Sequence, residues 1–282
     1  MNHHWPSVAI VGAGLIGGSV GRALLQRGLA RRVIGIGRSQ QSLDGARRTG
    51  AVTETSLDPA AVAEADLVLV ATSVASIPEL LDAVDAAVRP GTLLTDAGST
   101  KASIVAAWER KRARRRGRFV GSHPLAGSHR RGPEAAQGDL FNGRVVIVTP
   151  ANATPADDAV AVGDFWSALG ATVYLMRPKE HDRIVAATSH APHLLAAAIA
   201  TATPAAALPF TAGGWRDTTR IAAGDAQLWA DILLDNSTAV IAALRRIASA
   251  SEKMLAAIEA GDRRRLVILL SRAKDARDAL GS

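Results

Sequence analysis

The sequence predicts an α/β protein, in which a doubly wound parallel sheet is followed by an all-α domain. A glycine-rich loop follows the first short apolar run, short apolar runs and helical patterns then alternate as far as residue 176, and only helical patterns follow. Because parallel strands are joined by crossover helices, such alternation is typical of a sheet that is covered on both faces. The predicted domains span residues 1–177 and 178–282.

The glycine-rich loop is the segment GAGLIGGS at Gly12–Ser19, between the apolar run Val8–Val11 and the helical pattern Val20–Leu25. In such a Gly-x-Gly-x-x-Gly loop the first glycine permits a tight turn and the second admits a pyrophosphate. The third lets the helix pack on the strand, and the helix N-terminus offers N–H groups to the anion. This Rossmann-type pattern predicts a dinucleotide-binding site at five loop residues: Gly12, Gly14, Leu15, Ile16 and Gly17.

The end of the second predicted strand, Arg32–Gly37, bears on which dinucleotide binds. A carboxylate at this place accepts hydrogen bonds from the adenosine ribose and disfavours a 2′-phosphate. The chain has Arg38 and Ser39 instead, which predicts that NADP is preferred over NAD. The alternative is that Arg38 stacks on adenine and that both cofactors bind.

The remaining predicted strands are short runs followed by polar residues. They are Ala65–Ala71, Thr92–Thr95, Arg118–Val120, Val145–Val148 and Ala171–Met176. Ligands of doubly wound sheets lie beyond the carboxyl ends of the strands. Thr72 and Ser73 are therefore predicted to lie beside the nicotinamide half of the cofactor.

Two polar segments at predicted strand ends are candidate parts of a catalytic site. DAGSTK at Asp96–Lys101 contains Ser99, and GSHPLAGS at Gly121–Ser128 contains His123. A histidine at a strand end, kept out of a helix by the proline after it, is a candidate general base. The alternatives are that the first segment supplies turn and helix-cap residues and that His123 is structural.

The predicted helical domain contains a second group of polar residues. Its helical segments are Glu180–Thr203, Asp217–Ala222, Ala226–Ala248 and Glu252–Ala279. The segment TSHAPH carries Ser189, His190 and His193, and Arg220 is suited to a bidentate pair with a carboxylate. Trp229 is expected either in the core or against a ligand. A metal site is not favoured, because no carboxylate or thiolate stands near these histidines at a regular spacing.

Composition narrows the function classes. Of the 282 residues 48% are hydrophobic and 21% are charged, as in ordinary globular proteins, and the absence of cysteine excludes thiolate chemistry. No continuous apolar run reaches the length of a membrane span and no leader is visible, so a cytoplasmic protein without membrane contact is expected. The net charge of +7 suits anionic small ligands. The basic run Arg110–Arg118 lacks interleaved aromatic residues, which indicates a solvated surface rather than nucleic-acid binding.

Six features, in this order, resemble the prephenate/arogenate dehydrogenase family of tyrosine biosynthesis. They are GAGLIGGS, DAGSTK, GSHPLAGS, TSHAPH, GWRDTTRIA and Trp229. The resemblance implies that prephenate or L-arogenate loses a hydride to the nicotinamide, its hydroxyl proton and carbon dioxide, without a metal. Independently of the resemblance, the broad apolar faces of the helical segments predict a homodimer formed through the helical domain.

The resemblance also implies residue roles. His123 accepts the proton of the substrate hydroxyl, and Ser99 orients this histidine and the hydroxyl. Arg220 binds a substrate carboxylate, while the other pocket residues are Ser189, His190, His193 and Trp229. Histidines near the substrate side chain slightly favour prephenate over arogenate as the substrate.

Two features depart from some relatives. Arg38–Ser39 replaces the acidic residue of NAD-preferring members. The chain ends at Ser282 without room for a regulatory or mutase domain, so tyrosine feedback, if present, is expected to act at the active site itself. Two further functions remain open. Another NADP-dependent hydroxyacid or imine dehydrogenase needs a catalytic lysine or aspartate, for which Asp182 stands out. A non-catalytic dinucleotide sensor would not need His123, Ser99 and Arg220 together.

Overall fold

The computed structural model describes residues 5–127 and 130–281. Ser128, the last residue of the GSHPLAGS segment, therefore lies outside the described residues, as does the start of the chain at residues 1–4. Eight strands form one sheet in the order β3-β2-β1-β4-β5-β6-β7-β8. The strands are β1 Ser7–Val11, β2 Arg32–Ile36, β3 Glu54–Ser56, β4 Leu67–Val70, β5 Leu93–Asp96, β6 Arg118–Pro124, β7 Val145–Thr149 and β8 Thr172–Leu175.

Eleven α-helices are present in the described part of the chain. They are α1 Leu15–Gln26, α2 Gln40–Arg48, α3 Ile77–Ala87, α4 Ala102–Glu109, α5 Ala156–Ala168, α6 Pro178–Val185, α7 Ala191–Ala202, α8 Gly213–Thr219, α9 Ala226–Asp235, α10 Ser237–Glu259 and α11 Arg263–Asp278. A π-helical turn, Ala186–His190, joins α6 to α7 in one continuous helix. The predicted class, a Rossmann-type α/β sheet followed by helices, is confirmed.

Alternate residues of the central strands face two hydrophobic layers, one on each side of the sheet. Because side chains alternate along a strand, mostly apolar strands such as β1 and β4 supply both layers. The first layer joins them to α1 and α5: Val8, Ile10, Leu67, Leu69, Val20, Leu24, Phe165 and Trp166. The second joins them to α3 and α4: Ala9, Val11, Val68, Val70, Leu81, Val84, Ile104 and Trp108.

Strand β6 is longer than the sequence predicts, and it changes partner along its length. Its first part pairs in parallel with β5, with Val120 opposite Thr95. Its second part pairs antiparallel with β7, with His123 opposite Ile147. His123 is thus held in an extended strand rather than in the loop after it.

Contacts divide the chain into two compact units, one ending at Asn236 and one beginning at Ser237. The second unit consists of α10 and α11, which pack on each other. The sequence boundary near residue 177 instead marks where strands stop and stays a prediction as a functional boundary. The predicted helix Ala226–Ala248 is interrupted, because α9 ends at Asp235 and α10 begins at Ser237.

One helix, Pro178–Ala202, is long and apolar enough to cross a membrane by length and composition alone. Polar residues interrupt it, so no continuous apolar run reveals it in the sequence. A single helix of this kind is weak evidence, since core helices of soluble proteins have the same composition. The absence of membrane contact stays a prediction.

Candidate active site

The loop between β1 and α1 has the geometry of a dinucleotide cradle. Gly12 adopts a φ of +94°, and a Cβ there would lie 2.7 Å from the Ala71 carbonyl oxygen. A Cβ on Gly17 would lie 2.2 Å from the Gly12 oxygen, whereas a Cβ on Gly14 would have no heavy atom within 4 Å. Gly14 also precedes α1 without a side-chain cap for its first amides. Two glycines are thus required by the fold, while the third leaves space where a pyrophosphate fits.

The end of β2 carries two exposed residues, Arg38 and Ser39. The Ser39 hydroxyl accepts the Ser42 N–H at 3.4 Å and so caps α2. The guanidinium of Arg38 has no ion-pair partner among the described residues. It is therefore available to a ligand, and no carboxylate lies between β2 and α2.

One cleft brings together six of the residues that the sequence singles out. It has a volume of about 460 Å³, within the range of small-molecule sites. Its walls include Leu15, Ile16, Thr72, Ser73, Ser99 and Trp229. An ion pair between Arg131 and Asp225, 2.7 Å apart, joins the segment after β6 to the start of α9 at the cleft wall.

Ser99 is positioned by a buried ion pair at the end of β5. Lys101 and Asp96 are both fully buried and pair directly through Lys101 Nζ and Asp96 Oδ2. Asp96 Oδ2 also accepts the Gly98 N–H at 2.8 Å, and Lys101 Nζ donates to the Ser122 carbonyl oxygen at 2.9 Å. Asp96 Oδ1 accepts the Ser122 N–H at 3.1 Å, so residues on both sides of Ser99 are bonded to β6. Burial lowers the pKa of Lys101, an effect that Asp96 opposes.

Three side chains form a continuous hydrogen-bonded row, which we call the histidine chain: His123, His181 and Asp182. His123 Nδ1 lies 2.8 Å from His181 Nε2, and His181 Nδ1 lies 2.8 Å from Asp182 Oδ1. Asp182 also accepts the backbone N–H groups of Lys101 at 2.8 Å and Ala102 at 2.9 Å. The carboxylate therefore caps the N-terminus of α4, which fixes α6 against the end of the sheet.

The environment keeps both histidines of this chain neutral near pH 7. Burial is the main cause that lowers the pKa of His123 well below 6.5, and the neighbouring His181, Lys101 and His190 lower it further. Burial likewise lowers the pKa of His181 although Asp182 raises it. The pKa of Asp182 falls, because hydrogen bonds from His181 and two amides outweigh its burial. His123 is half-buried, so a ligand can reach it.

The histidines of α7 surround Trp229. His193 stacks on Trp229 with 3.5 Å between ring centroids, and His190 meets the same ring edge-on at 6.1 Å. Gly224 lies so close that a Cβ there would come within 2.9 Å of both rings. His193 Nδ1 is buried and has no hydrogen-bond partner in the described part of the protein. An unpaired buried polar atom beside a cleft is a binding group for a ligand.

Asn236 orients His190. Its amide donates to the Asp182 carbonyl oxygen at 2.8 Å and lies 3.2 Å from His190 Nδ1. Burial lowers the pKa of His190 to about 4, so this ring is neutral as well. The interruption between α9 and α10 is therefore the place where the chain supplies a polar group to the site.

Arg220 opens a short 3-10 turn, Arg220–Ala223, that packs against α7. Its side chain is exposed and has no ion-pair partner among the described residues. Ser189 lies in the π-helical turn and is half-buried. Ser189 thus precedes α7, which carries His193, and Arg220 lies on a turn that packs against α7, but neither residue is among those that line the cleft.

Comparison with known proteins agrees with this geometry. A family model described as prephenate dehydrogenase, nucleotide-binding domain, matches residues 20–175. A second, prephenate dehydrogenase, dimerization domain, matches residues 177–272. The chain belongs to the prephenate dehydrogenase family. The first match begins after the glycine loop, so that loop is independent evidence for the nucleotide site.

Relatives within the prephenate dehydrogenase family match almost the whole chain. Cyclohexadienyl dehydrogenase of Zymomonas mobilis is 33% identical over 90% of this chain and 89% of its own length. Prephenate dehydrogenase of Bacillus subtilis is 32% identical over 99% of this chain and 77% of its own. The crystal structure of Aquifex aeolicus prephenate dehydrogenase with hydroxyphenyl propionate and NAD+ is 28% identical, with a TM-score of 0.90 over 97% of this chain and 98% of its own.

The sequence did not reveal the residues that hold Ser99 and His123 in place. The sequence predicted only Ser99, or turn and helix-cap residues, from the segment Asp96–Lys101. Asp182 was a candidate only for a competing function, and His181 was not singled out. At about 100° per residue, eight and twelve residues place Ser189 and His193 about 80° and 120° away from His181 around a regular helix, so spacing gives no signal for His181. The burial of Lys101 and Asp96 has no signal either, since charged residues are rarely buried.

Proposed function

We propose that this chain is a dehydrogenase that oxidatively decarboxylates prephenate to 4-hydroxyphenylpyruvate. One observation carries the proposal: His123, a neutral imidazole at the carboxyl end of β6, stands in the same sheet edge as the dinucleotide loop. A neutral imidazole is a general base for an alcohol proton, and the cofactor, when bound, supplies the hydride acceptor.

In this reaction some residues bind the substrate and one accepts its proton. His123 takes the hydroxyl proton of the substrate, and Ser99, held by the Asp96–Lys101 pair, orients that hydroxyl. Arg220 binds a substrate carboxylate, and His193 offers its unpaired Nδ1 to the side chain. Ser189, His190 and Trp229 line the same side. Aromatisation drives the decarboxylation, so positioning and one base suffice.

The choice of prephenate over arogenate rests on the charges at the cleft. Arogenate carries an ammonium group, for which a free carboxylate is the strongest partner. Among the described residues that line the cleft, Asp225 is the one carboxylate. It is paired with Arg131 and accepts the Leu228 N–H at 2.6 Å as the cap of α9. Its charge is therefore compensated, which favours the uncharged keto group of prephenate. Arogenate is the second candidate.

The test is an initial-rate assay of reduced-nicotinamide formation with prephenate and arogenate, each combined with NAD and NADP. The expected result is activity with prephenate, and greater kcat/KM with NADP. Activity with arogenate alone overturns the substrate assignment. No activity in any of the four combinations overturns the proposed function and leaves a nucleotide-binding member of the family.

NADP preference rests on the exposed Arg38 and on the absence of a carboxylate between β2 and α2. Arg38→Asp should lower kcat/KM for NADP and raise it for NAD, so that their ratio changes by about tenfold or more, because one charge-assisted hydrogen bond is replaced by repulsion. Arg47→Asp, on α2 and in its last turn, is the matched charge control. An unchanged ratio in Arg38→Asp contradicts the assignment.

A homodimer is proposed from the dimerization-domain match and from apolar side chains in the second unit. Six large ones on α10 and α11 are exposed in the single chain: Ile241, Leu255, Ile258, Val267, Ile268 and Leu270. Contiguous exposed apolar surface marks protein interfaces. Sedimentation of the purified chain at micromolar concentration should give twice the mass of 29.2 kDa. A cytoplasmic location is proposed on composition.

A further inference from the structure

We propose that Asp182, acting through His181, sets the tautomer of His123 so that its Nε2 faces the substrate unprotonated. Both residues are positioning residues, because neither is argued to touch the substrate. The inference rests on the proposed function only for its kinetic consequence. The tautomer itself is a property of the free protein.

The direction of the hydrogen bonds follows from the acceptor at the end of the histidine chain. Asp182 is ionised and can only accept, so the hydrogen between it and His181 belongs to His181 Nδ1. A neutral imidazole carries one hydrogen, which leaves His181 Nε2 as an acceptor. The hydrogen between the two rings must then belong to His123 Nδ1. The remaining nitrogen of His123, Nε2, holds a lone pair.

The opposite direction would leave two lone pairs facing each other. If His181 donated through Nε2, its Nδ1 would point a lone pair at the Asp182 carboxylate across 2.8 Å. Asp182 is held in place by the amides of Lys101 and Ala102 and cannot rotate away without losing them. The capped helix thus orients the carboxylate, and the carboxylate orients the histidine chain.

The other charged and titratable groups around His123 do not reverse this assignment. Lys101 donates to Asp96 and to the Ser122 carbonyl oxygen, and His190 Nδ1 faces the Asn236 amide. Within the described residues His123 Nε2 has no hydrogen-bond partner. Lys101, His181 and His190 all disfavour a charged His123 before the reaction.

During turnover His123 accepts one proton, and the histidine chain stabilises the positive charge that forms on its ring. The O–H bond of the substrate hydroxyl breaks and an N–H bond forms at His123 Nε2. A nicotinamide cofactor held by the glycine loop would accept the hydride from the carbon that carries this hydroxyl. The resulting imidazolium donates through Nδ1 to His181, which donates to Asp182. The carboxylate stabilises the positive charge through two hydrogen bonds, as in an Asp-His pair of hydrolases.

The first experiment reads the tautomer directly in the free protein. Long-range proton–nitrogen NMR at pH 7.5 distinguishes protonated from unprotonated ring nitrogens, and the His123→Asn and His181→Gln variants assign the signals. We expect a protonated Nδ1 and a bare Nε2 for both His123 and His181. A protonated Nε2 on His123 overturns the proposal, whether or not the chain oxidises prephenate. If it does not, the proposed function fails while this measurement still decides the tautomer.

The second experiment measures the kinetic effect of the carboxylate. Asp182→Asn should lower kcat by about 10²- to 10⁴-fold with KM little changed, since loss of the orienting carboxylate favours the wrong tautomer. The matched control is Asp85→Asn, another buried carboxylate that accepts two backbone amides, those of Arg116 at 3.0 Å and Gly117 at 2.8 Å. It should retain wild-type kcat. Equal kcat in Asp182→Asn and the wild type overturns the proposal.

A pair of variants at His181 keeps the proposal falsifiable if Asp182→Asn does not fold. His181→Gln supplies an amide oxygen that can accept the His123 Nδ1 hydrogen, whereas His181→Leu cannot. We expect the glutamine variant to retain at least about tenfold more kcat than the leucine variant, because it preserves the tautomer. Equal kcat values would show that His181 acts only through packing.

Discussion

The glycine loop and the histidine chain occupy the same edge of the sheet, but they are built in opposite ways. The loop is a short segment of sequence, Gly12–Ser19, whose function depends on backbone shape and on the absence of side chains. The histidine chain joins residues 58 positions apart, and its function depends on which nitrogens carry hydrogens. Changes in the loop should therefore act on cofactor binding and folding. Changes in the histidine chain should act on turnover.

Substitution of the base should produce the largest effect of all. His123→Asn should lower kcat by about 10³-fold, because general-base catalysis contributes roughly 10²- to 10⁴-fold. Cofactor affinity should not change, since His123 belongs to the other region. Steady-state rates and a fluorescence titration with NADP measure the two quantities. A wild-type kcat would remove His123 from the mechanism. A lower affinity for NADP would show that the histidine chain and the glycine loop do not act separately.

Two glycines of the same loop should behave differently. Gly17→Ala brings a Cβ within 2.2 Å of the Gly12 backbone oxygen and should cost about 2 to 3 kcal/mol of unfolding free energy, as overpacking does. In Gly14→Ala the added Cβ has no heavy atom within 4 Å, so the free energy of unfolding should be unchanged and only the affinity for the cofactor should fall. Denaturant unfolding and NADP titration of both variants separate the two costs. Similar destabilisation of both would contradict the described loop.

Arg220 tests binding at the substrate end of the site. Arg220→Gln should raise the KM for prephenate by roughly 30-fold, about 2 kcal/mol, with kcat changed much less, because a carboxylate pair is lost in the ground and transition states alike. Arg216→Gln, one helical turn earlier and also exposed, is the control. If Arg216→Gln gives the larger rise, the carboxylate-binding arginine has been assigned wrongly.

The buried histidines make stability depend on pH. The folded pKa of His190, about 4, lies below the unfolded value of 6.5, so the unfolded chain binds the proton first as the pH falls. Stability should therefore be intact above pH 6.5 and decline from there towards pH 4. We expect a loss of about 1 to 2 kcal/mol between pH 7.5 and pH 5.5 from this residue. Denaturant unfolding at both pH values should show a smaller difference in His190→Gln; an equal one would exclude His190 as a cause.

The sequence predicted most of the fold, and what it missed has a common cause. Helix α2, QQSLDGARR, buries only Leu43, Gly45 and Ala46, and β3 is three residues without an apolar pattern. Such short and mostly polar elements contain too few apolar residues to stand out in the sequence, and pairing with β2 stabilises β3 at the edge of the sheet. The strands and helices with many apolar residues were predicted correctly, because those residues repeat at short, regular spacings within each element.

The sequence by itself determined what local rules govern: the alternating strands and helices, the glycine loop, and His123 and Ser99 at the carboxyl ends of strands. Only the tertiary structure decided that Lys101 is buried against Asp96 and that His123 faces His181 and Asp182. The physical reason is that protonation and burial of a polar group depend on partners that folding brings from distant positions. Residue spacing along the chain carries no record of those partners.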